Sequence, residues 1–269
     1  MARRNFYEII NGSPLNLEAE YNRIYTLFYK GTAYDDAIEI IVDEVFEALP
    51  AYLRGRTISL SDFDDTYGFS FSEFLFSFSA DDLIMLCEYV WNLGKGVLRH
   101  AHQLISEQNY QSIEHVLKLI SDCIEDMQHM AVSQNGITIF VPKYANVVAV
   151  AEIAKEDLVP SILEYHHHGL KGNLTKKKTI LKLMADDIEG DRKRLGSINK
   201  TLENQLFQLM NKFIRHDQSK TPHIATMTPQ EIETCYDDIY QMWLLARLEL
   251  DHHAERKDRV AALLDTMNG

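Results

Sequence analysis

Long stretches of this chain repeat apolar residues every three or four positions, with few interruptions by residues that break helices. The 269 residues include only six prolines and twelve glycines, and we place these between the periodic stretches. Apolar residues at this spacing line one face of an α-helix. The sequence therefore predicts a mainly α-helical fold.

The first half of the chain predicts a helical region with one ambiguous segment. Helices are expected at about 15–29, 34–49, 79–93, 97–108 and 110–132. Gly94 and Gly96 are expected to break the helix that begins at Ser79. Residues 54–80 fit both strand and helix periods, and we interpret them as an irregular segment with a helical turn.

The second half predicts a bundle that follows a short β segment. Residues 136–142 have strand character, and a partner strand is expected near 147–150, which gives a small β hairpin near 136–150. Helices then follow at about 148–169, 174–195, 197–216 and 229–266. Long helices with short connections favour an antiparallel helical bundle. We therefore predict an N-terminal helical region at 1–132 and a bundle domain at 133–269.

The bulk composition excludes several classes of protein. A net charge of −13 disfavours non-specific coating of nucleic acid, which needs many lysines and arginines on phosphates. Cys87, Cys123 and Cys235 form no CxxC pair, as expected for reduced core residues in a cytoplasmic protein. We expect no signal peptide at residues 1–10 and no membrane span.

One polar cluster lies at the end of a predicted helix. Asn211 and Arg215 are four residues apart and share a helix face, and His216 follows directly. An imidazole beside a guanidinium is a plausible pair for cleaving a phosphodiester. The alternative is a helix cap, because basic residues are favoured in the last turn of any helix.

A basic segment precedes this cluster. Residues 171–200 carry nine basic and four acidic side chains, which gives a local charge of about +5. The candidate RNA-binding residues are Lys176, Lys177, Lys178, Arg192 and Arg194. A solvated helix face is the other interpretation.

Two histidine clusters raise the possibility of a metal site. They contain His166 and His167 in one helix and His252 and His253 in another. Neither has the i, i+4 spacing of HExxH. We therefore expect no metal and no cofactor, and we keep a site built from both clusters as a third hypothesis.

Several short runs between about 110 and 220 form one pattern of positions: Ile162 to His167, Leu170 to Leu174, Lys176 to Leu183, Asp187-Ile188-Glu189 with Arg192-Lys193, and Asn211-x-x-x-Arg215-His216. This pattern resembles HEPN-type domains of the AbiJ-like group of bacterial abortive-infection proteins. It implies a helical bundle, usually a homodimer, that acts as a metal-independent endoribonuclease.

The resemblance also implies roles for the polar cluster. His216 would be the general acid or base, Arg215 would stabilise charge on the phosphate, and Asn211 would orient the phosphate or the histidine. The usual motif is Arg, four to six residues, then His, whereas Arg215 and His216 are adjacent. Arg247 and His252 match the usual spacing and are second-rank catalytic candidates.

Two functions follow from the resemblance and the departure from its motif. The first is an anti-phage endoribonuclease effector that acts on cellular RNA. The alternative is a non-catalytic HEPN-like module that binds a partner defence protein or an antitoxin, with the Asn-Arg-His cluster holding the bundle together.

Overall fold

The protein is described by a computed structural model that covers residues 15–33, 35–75, 77–215, 224 and 226–268. Within these residues the fold is mainly α-helical with one two-stranded antiparallel sheet, which confirms the predicted mainly α-helical class. The chain divides into two compact units, residues 1–140 and 141–269. We call them the N-terminal and C-terminal units. The sequence places the boundary at 132/133 instead, at the start of the β segment.

The N-terminal unit contains six helices within its described residues. They are α1 (Leu17–Tyr29), α2 (Ile38–Glu44), α3 (Ala51–Arg54), α4 (Leu60–Tyr67), α5 (Ala80–His100) and α6 (Glu107–Asp126). The Asn16 side chain caps α1 by accepting a hydrogen bond from the Ala19 amide. Helix α2 is shorter than the predicted 34–49, and a 3-10 turn, Phe46–Ala48, follows it.

Helix α5 corrects the prediction of a break at Gly94 and Gly96. It runs without interruption from the capping box of Ser79 and Asp82 to His100, so no separate helix begins at 97. Both glycines serve close packing instead. A Cβ on Gly94 would lie 3.2 Å from Ile113 and Leu117, and one on Gly96 would lie 2.7 Å from Leu53. The missing side chains admit these neighbours, a tertiary effect that local propensity does not reveal.

The β hairpin also differs from its predicted form. Strand β2 (Ile137–Pro142) pairs with the preceding strand β1 (His129–Gln134), and the expected partner near 147–150 lies in a helix. The reason is the turn at Asn135 and Gly136, whose φ angles are +53° and +83°. Asn-Gly readily adopts such angles and joins two strands in a tight hairpin.

The C-terminal unit contains seven helices within its described residues. They are α7 (Ala145–Ala151), α8 (Val159–Glu164), α9 (Leu174–Glu189), α10 (Arg192–Ile198), α11 (Lys200–Leu209), α12 (Pro229–Asp251) and α13 (Lys257–Asn268). The predicted helix at 148–169 is thus divided between α7, α8 and a 3-10 turn at His168–Leu170. The one at 174–195 is divided near Gly190. Helices α9, α11 and α12 enclose a core that includes Met184, Phe207 and Trp243.

Two π-helical turns extend the helices of this unit. Met210–Arg215 continues α11, and His252–Arg256 joins α12 to α13. Such turns are rare and occur often at functional sites. None of the described helices combines the length and apolar character needed to cross a bilayer.

Candidate functional site

The predicted polar cluster lies in the π-helical turn that follows α11. Met210, Phe213 and Ile214 are buried in the core and anchor this turn. Asn211 is half-buried on it. His216, the predicted acid or base, lies outside the described residues. Arg215 is the cluster's described charged side chain.

Arg215 is held by the end of helix α9. Its Nη2 atom donates a hydrogen bond of 2.9 Å to the Ala185 carbonyl, and its Nη1 atom forms an ion pair with the Glu189 carboxylate. The side chain keeps 27% of its surface exposed. A cation is favoured here because the carbonyls at a helix C-terminus carry partial negative charge.

Arg247, the second-rank candidate, reaches the same helix end from α12. Its Nη1 atom lies 3.1 Å from an Asp191 oxygen and 3.5 Å from an Asp187 oxygen. The Asp187 side chain is only 6% exposed, and Lys155 Nζ binds its other oxygen at 2.9 Å. The hydrogen bond and the negative charge of Asp187 raise the pKa of Lys155. Arg247 is thus part of a network of paired charges.

His252 does not share the environment of Arg247. It begins the second π-helical turn, is exposed, and contacts His253 edge-to-face with ring centroids 5.7 Å apart. The Arg247 side chain is largely buried and pairs with the α9–α10 junction. Arg247 and His252 therefore match the spacing of the usual motif in sequence, but their side chains do not lie in one site.

We call the meeting point of these groups the α9 corner: Asp187, Glu189 and Asp191 with Arg215 and Arg247. The structure brings Arg215 and Arg247 to the same short segment at the end of α9, which carries all three carboxylates. With Lys155 and Arg194, four cations face the three carboxylates, and each of the two predicted arginines has a carboxylate partner. Carboxylates in these positions compete with a phosphate for the guanidinium groups. Paired guanidinium groups of this kind stabilise the junction of α9, π-turn and α12.

The basic segment contains one lysine that is not at the surface. Lys177 is buried, and its Nζ atom lies 2.9 Å from Glu233 and 2.7 Å from Asp237. The ammonium also lies 5.0 Å from the centre of the Tyr165 ring. Lys177 therefore ties α9 to α12 and offers no charge for RNA. The sequence held a signal for this, because positions 174, 177, 181 and 184 share the apolar face of α9.

The other four RNA-binding candidates divide into two kinds. Arg192 donates to Glu203 at 2.7 Å and covers the Phe207 ring, and Arg194 donates to the Leu250 carbonyl at 2.8 Å. Both arginines thus have partners within the unit. Lys176 is exposed and Lys178 is half-buried, so only Lys176 of the five candidates is fully at the surface without a partner described above.

The histidines of the third hypothesis stay apart. His166 packs edge-to-face on Tyr144, Tyr165 and Tyr240, and burial lowers its pKa. Its ring is therefore neutral near pH 7. Over the residues that the structure describes, no cluster of three potential ligands joins the two histidine groups.

One surface feature was missed in the sequence. Every described side chain from Lys257 to Met267 is exposed. Val260, Leu263, Leu264 and Met267 recur at helical spacing and expose between 44% and 80% of their surface. We call these four residues the α13 stripe. The spacing of these residues predicts an amphipathic helix. The sequence alone does not show that the described residues leave its apolar face uncovered.

No protein-family model matches this chain, and no curated protein and no solved structure shows significant similarity to it.

Proposed function

We propose that the C-terminal unit is a non-catalytic, HEPN-like helical module that binds a partner protein in a phage-defence or toxin–antitoxin system. The observation that carries this proposal is the α9 corner, where carboxylates pair with both arginines that a nuclease site would need. The class of system comes from the sequence resemblance. The role of the corner is to fix α9, α11 and α12 in one arrangement.

The α13 stripe supplies a surface for the partner. Isolated apolar side chains on a surface are ordinary, but a stripe along one face of an exposed helix is typical of a helix that docks in an apolar groove. A partner defence protein or antitoxin with such a groove fits this surface.

A variant pair tests the stripe. Leu264→Glu places a charge in the stripe, whereas Ala262→Glu places the same charge on the opposite face of α13. With the full chain expressed beside its neighbouring genes, we expect a co-purifying partner with wild type and Ala262→Glu, and none with Leu264→Glu. Equal recovery with all three proteins would contradict a role for the stripe. A dimer lost only in Leu264→Glu would make a second copy the occupant.

The second candidate function is the metal-independent endoribonuclease. One observation favours it: Arg215 and Arg247 converge on the same helix end, and Arg215, which directly precedes His216 in the sequence, is partly exposed. In this alternative, Glu189 would position Arg215 until RNA displaces it. Asn211 and His216 would then complete the site. His252 follows Arg247 by five residues in the sequence and is exposed.

A further inference from the structure

A basic pocket of about 200 Å³ lies in the N-terminal unit. One face of α5 forms its floor and one wall, with Trp91, Asn92, Lys95 and Arg99 at helical spacing. Tyr52 of α3 closes one side, and the hairpin closes the other through Ser133, Gly136 and Thr138. The pocket is thus built from three separate elements of one unit.

The charge of this pocket is opposite to that of the chain. Lys95, Arg99 and His100 line it, and no carboxylate does. Within the described part of the chain, no carboxylate pairs with Lys95 or Arg99. In a protein with a net charge of −13, two cations that lack a carboxylate partner among the described residues and share one concave site favour an anion. The arginines of the α9 corner, by contrast, are already paired.

Aromatic rings accompany these cations. Lys95 Nζ lies 4.9 Å from the centre of the Trp91 ring. The Tyr52 hydroxyl lies 2.9 Å from His100 Nε2, and the Tyr52 ring rests against Gly136, where a Cβ would come within 2.6 Å of it. The absence of a side chain at Gly136 therefore leaves room for the Tyr52 ring at the rim. Tyr52 is 45% exposed, so its ring is open to a ligand.

We infer that this pocket binds a nucleotide, with the phosphate at Lys95, Arg99 and His100 and the base against Tyr52 and Trp91. Cations beside aromatic rings are how proteins hold phosphorylated bases without reading their sequence. The 200 Å³ volume holds the phosphate beside the cations, and the base extends to the open rim, where the Tyr52 ring is exposed. A free nucleotide and a nucleotide of single-stranded RNA share this chemistry. The inference goes beyond the proposed function and concerns the N-terminal unit.

Tryptophan fluorescence reports on the site directly. The chain has two tryptophans, and Trp243 is buried in the other unit, so Trp243→Phe leaves Trp91 as the single reporter. AMP and a short oligo(rA) are expected to quench this signal, with adenosine and inorganic phosphate at least about tenfold weaker. Stronger binding of oligo(rA) with a steep salt dependence would identify RNA as the source, and equal binding would identify the free nucleotide.

Charge removal tests the assignment. Lys95→Ala and Arg99→Ala are each expected to weaken AMP binding about tenfold, because each removes a charge-assisted contact. Lys118→Ala and Arg23→Ala are matched controls on exposed surfaces of the same unit and should bind as wild type. The absence of quenching by AMP and by oligo(rA) in the folded reporter would overturn the inference. So would phosphate binding as tightly as AMP, or equal weakening in the control variants.

Discussion

Arg247 links α12 to α9 and α10 through Asp187 and Asp191, and this residue shows how the α9 corner stabilises the unit. Arg247→Ala would leave the nearly buried Asp187 with Lys155 alone. We expect the free energy of unfolding to fall by about 2 kcal/mol, because the nearly buried Asp187 loses one of its two cationic partners. Urea denaturation measures this change.

The control for this prediction is the arginine–aspartate pair formed by Asp251, at the end of α12, and Arg256, in the π-helical turn that follows α12. Arg256 lies 2.9 Å from Asp251, and its side chain is 50% exposed. Arg256→Ala should change the free energy of unfolding by only about 0.5 kcal/mol, since exposed pairs contribute little. Equal losses from both substitutions would mean that Arg247 has no special structural role.

Glu233 makes the stability of the C-terminal unit depend on pH. Its hydrogen bond with Lys177, aided by the Gly172 amide, lowers the pKa of Glu233. A lowered carboxylate pKa stabilises the folded state above the unfolded pKa of about 4.3. That stability is lost as pH falls through the folded pKa.

Glu233→Gln should therefore reduce stability at pH 7 and flatten its decline below about pH 4.5. Urea denaturation at intervals of roughly half a pH unit between pH 3 and 7 gives the free energy of unfolding as a function of pH for wild type and for Glu233→Gln. Glu18→Gln, at an exposed position of α1, should keep the wild-type profile. An unchanged profile in Glu233→Gln would refute the coupling between Glu233 and Lys177.

Two glycines at helix ends have opposite requirements. Gly31, after α1, has a φ of +69°, and a Cβ there would lie 2.4 Å from the Asp35 carbonyl oxygen. Gly190, after α9, has a φ of −64°, and a Cβ there would meet open space. Gly31→Ala should destabilise the protein by more than about 1 kcal/mol, and Gly190→Ala should stabilise it by about 0.5 kcal/mol. Thermal unfolding distinguishes the two signs, and a stabilising Gly31→Ala would contradict the strained turn.

The helices were predictable from sequence where the apolar period was regular, as in α1 and α12. The errors came from contacts between elements. Gly94 and Gly96 read as breaks because their packing partners lie in other segments, and strand β2 was paired with the wrong neighbour because the Asn135-Gly136 turn was overlooked. Local patterns carry no information about a partner that is distant along the chain.

The candidate site shows the same limit more strongly. Arg215 and His216 were identifiable from their types and spacing, but Ala185 and Glu189, which hold Arg215, lie about thirty residues away. Lys177 could have been placed inside from its position on the apolar face of α9. Its carboxylate partners on α12 depend on the packing of the bundle, which one sequence does not specify.

At the scale of the whole molecule, each unit has its own hydrophobic core and its own candidate surface. The core of the N-terminal unit extends from Tyr21 to Phe140, and that of the C-terminal unit from Val147 to Leu250. The nucleotide pocket belongs to the first and the α13 stripe to the second. We therefore expect Lys95→Ala to leave partner binding unchanged, and Leu264→Glu to leave nucleotide binding unchanged. Isothermal calorimetry with AMP and co-purification measure the two activities separately.

We propose that the α9 corner holds the bundle together and does not cleave RNA. Wild type, Arg215→Ala and His216→Ala can be expressed side by side and scored for total RNA integrity, cell growth and thermal unfolding, with circular dichroism as the fold control. We expect intact RNA with all three proteins and a lower melting temperature for Arg215→Ala. RNA breakdown with wild type alone, while all three proteins remain equally helical, would contradict it and establish the endoribonuclease.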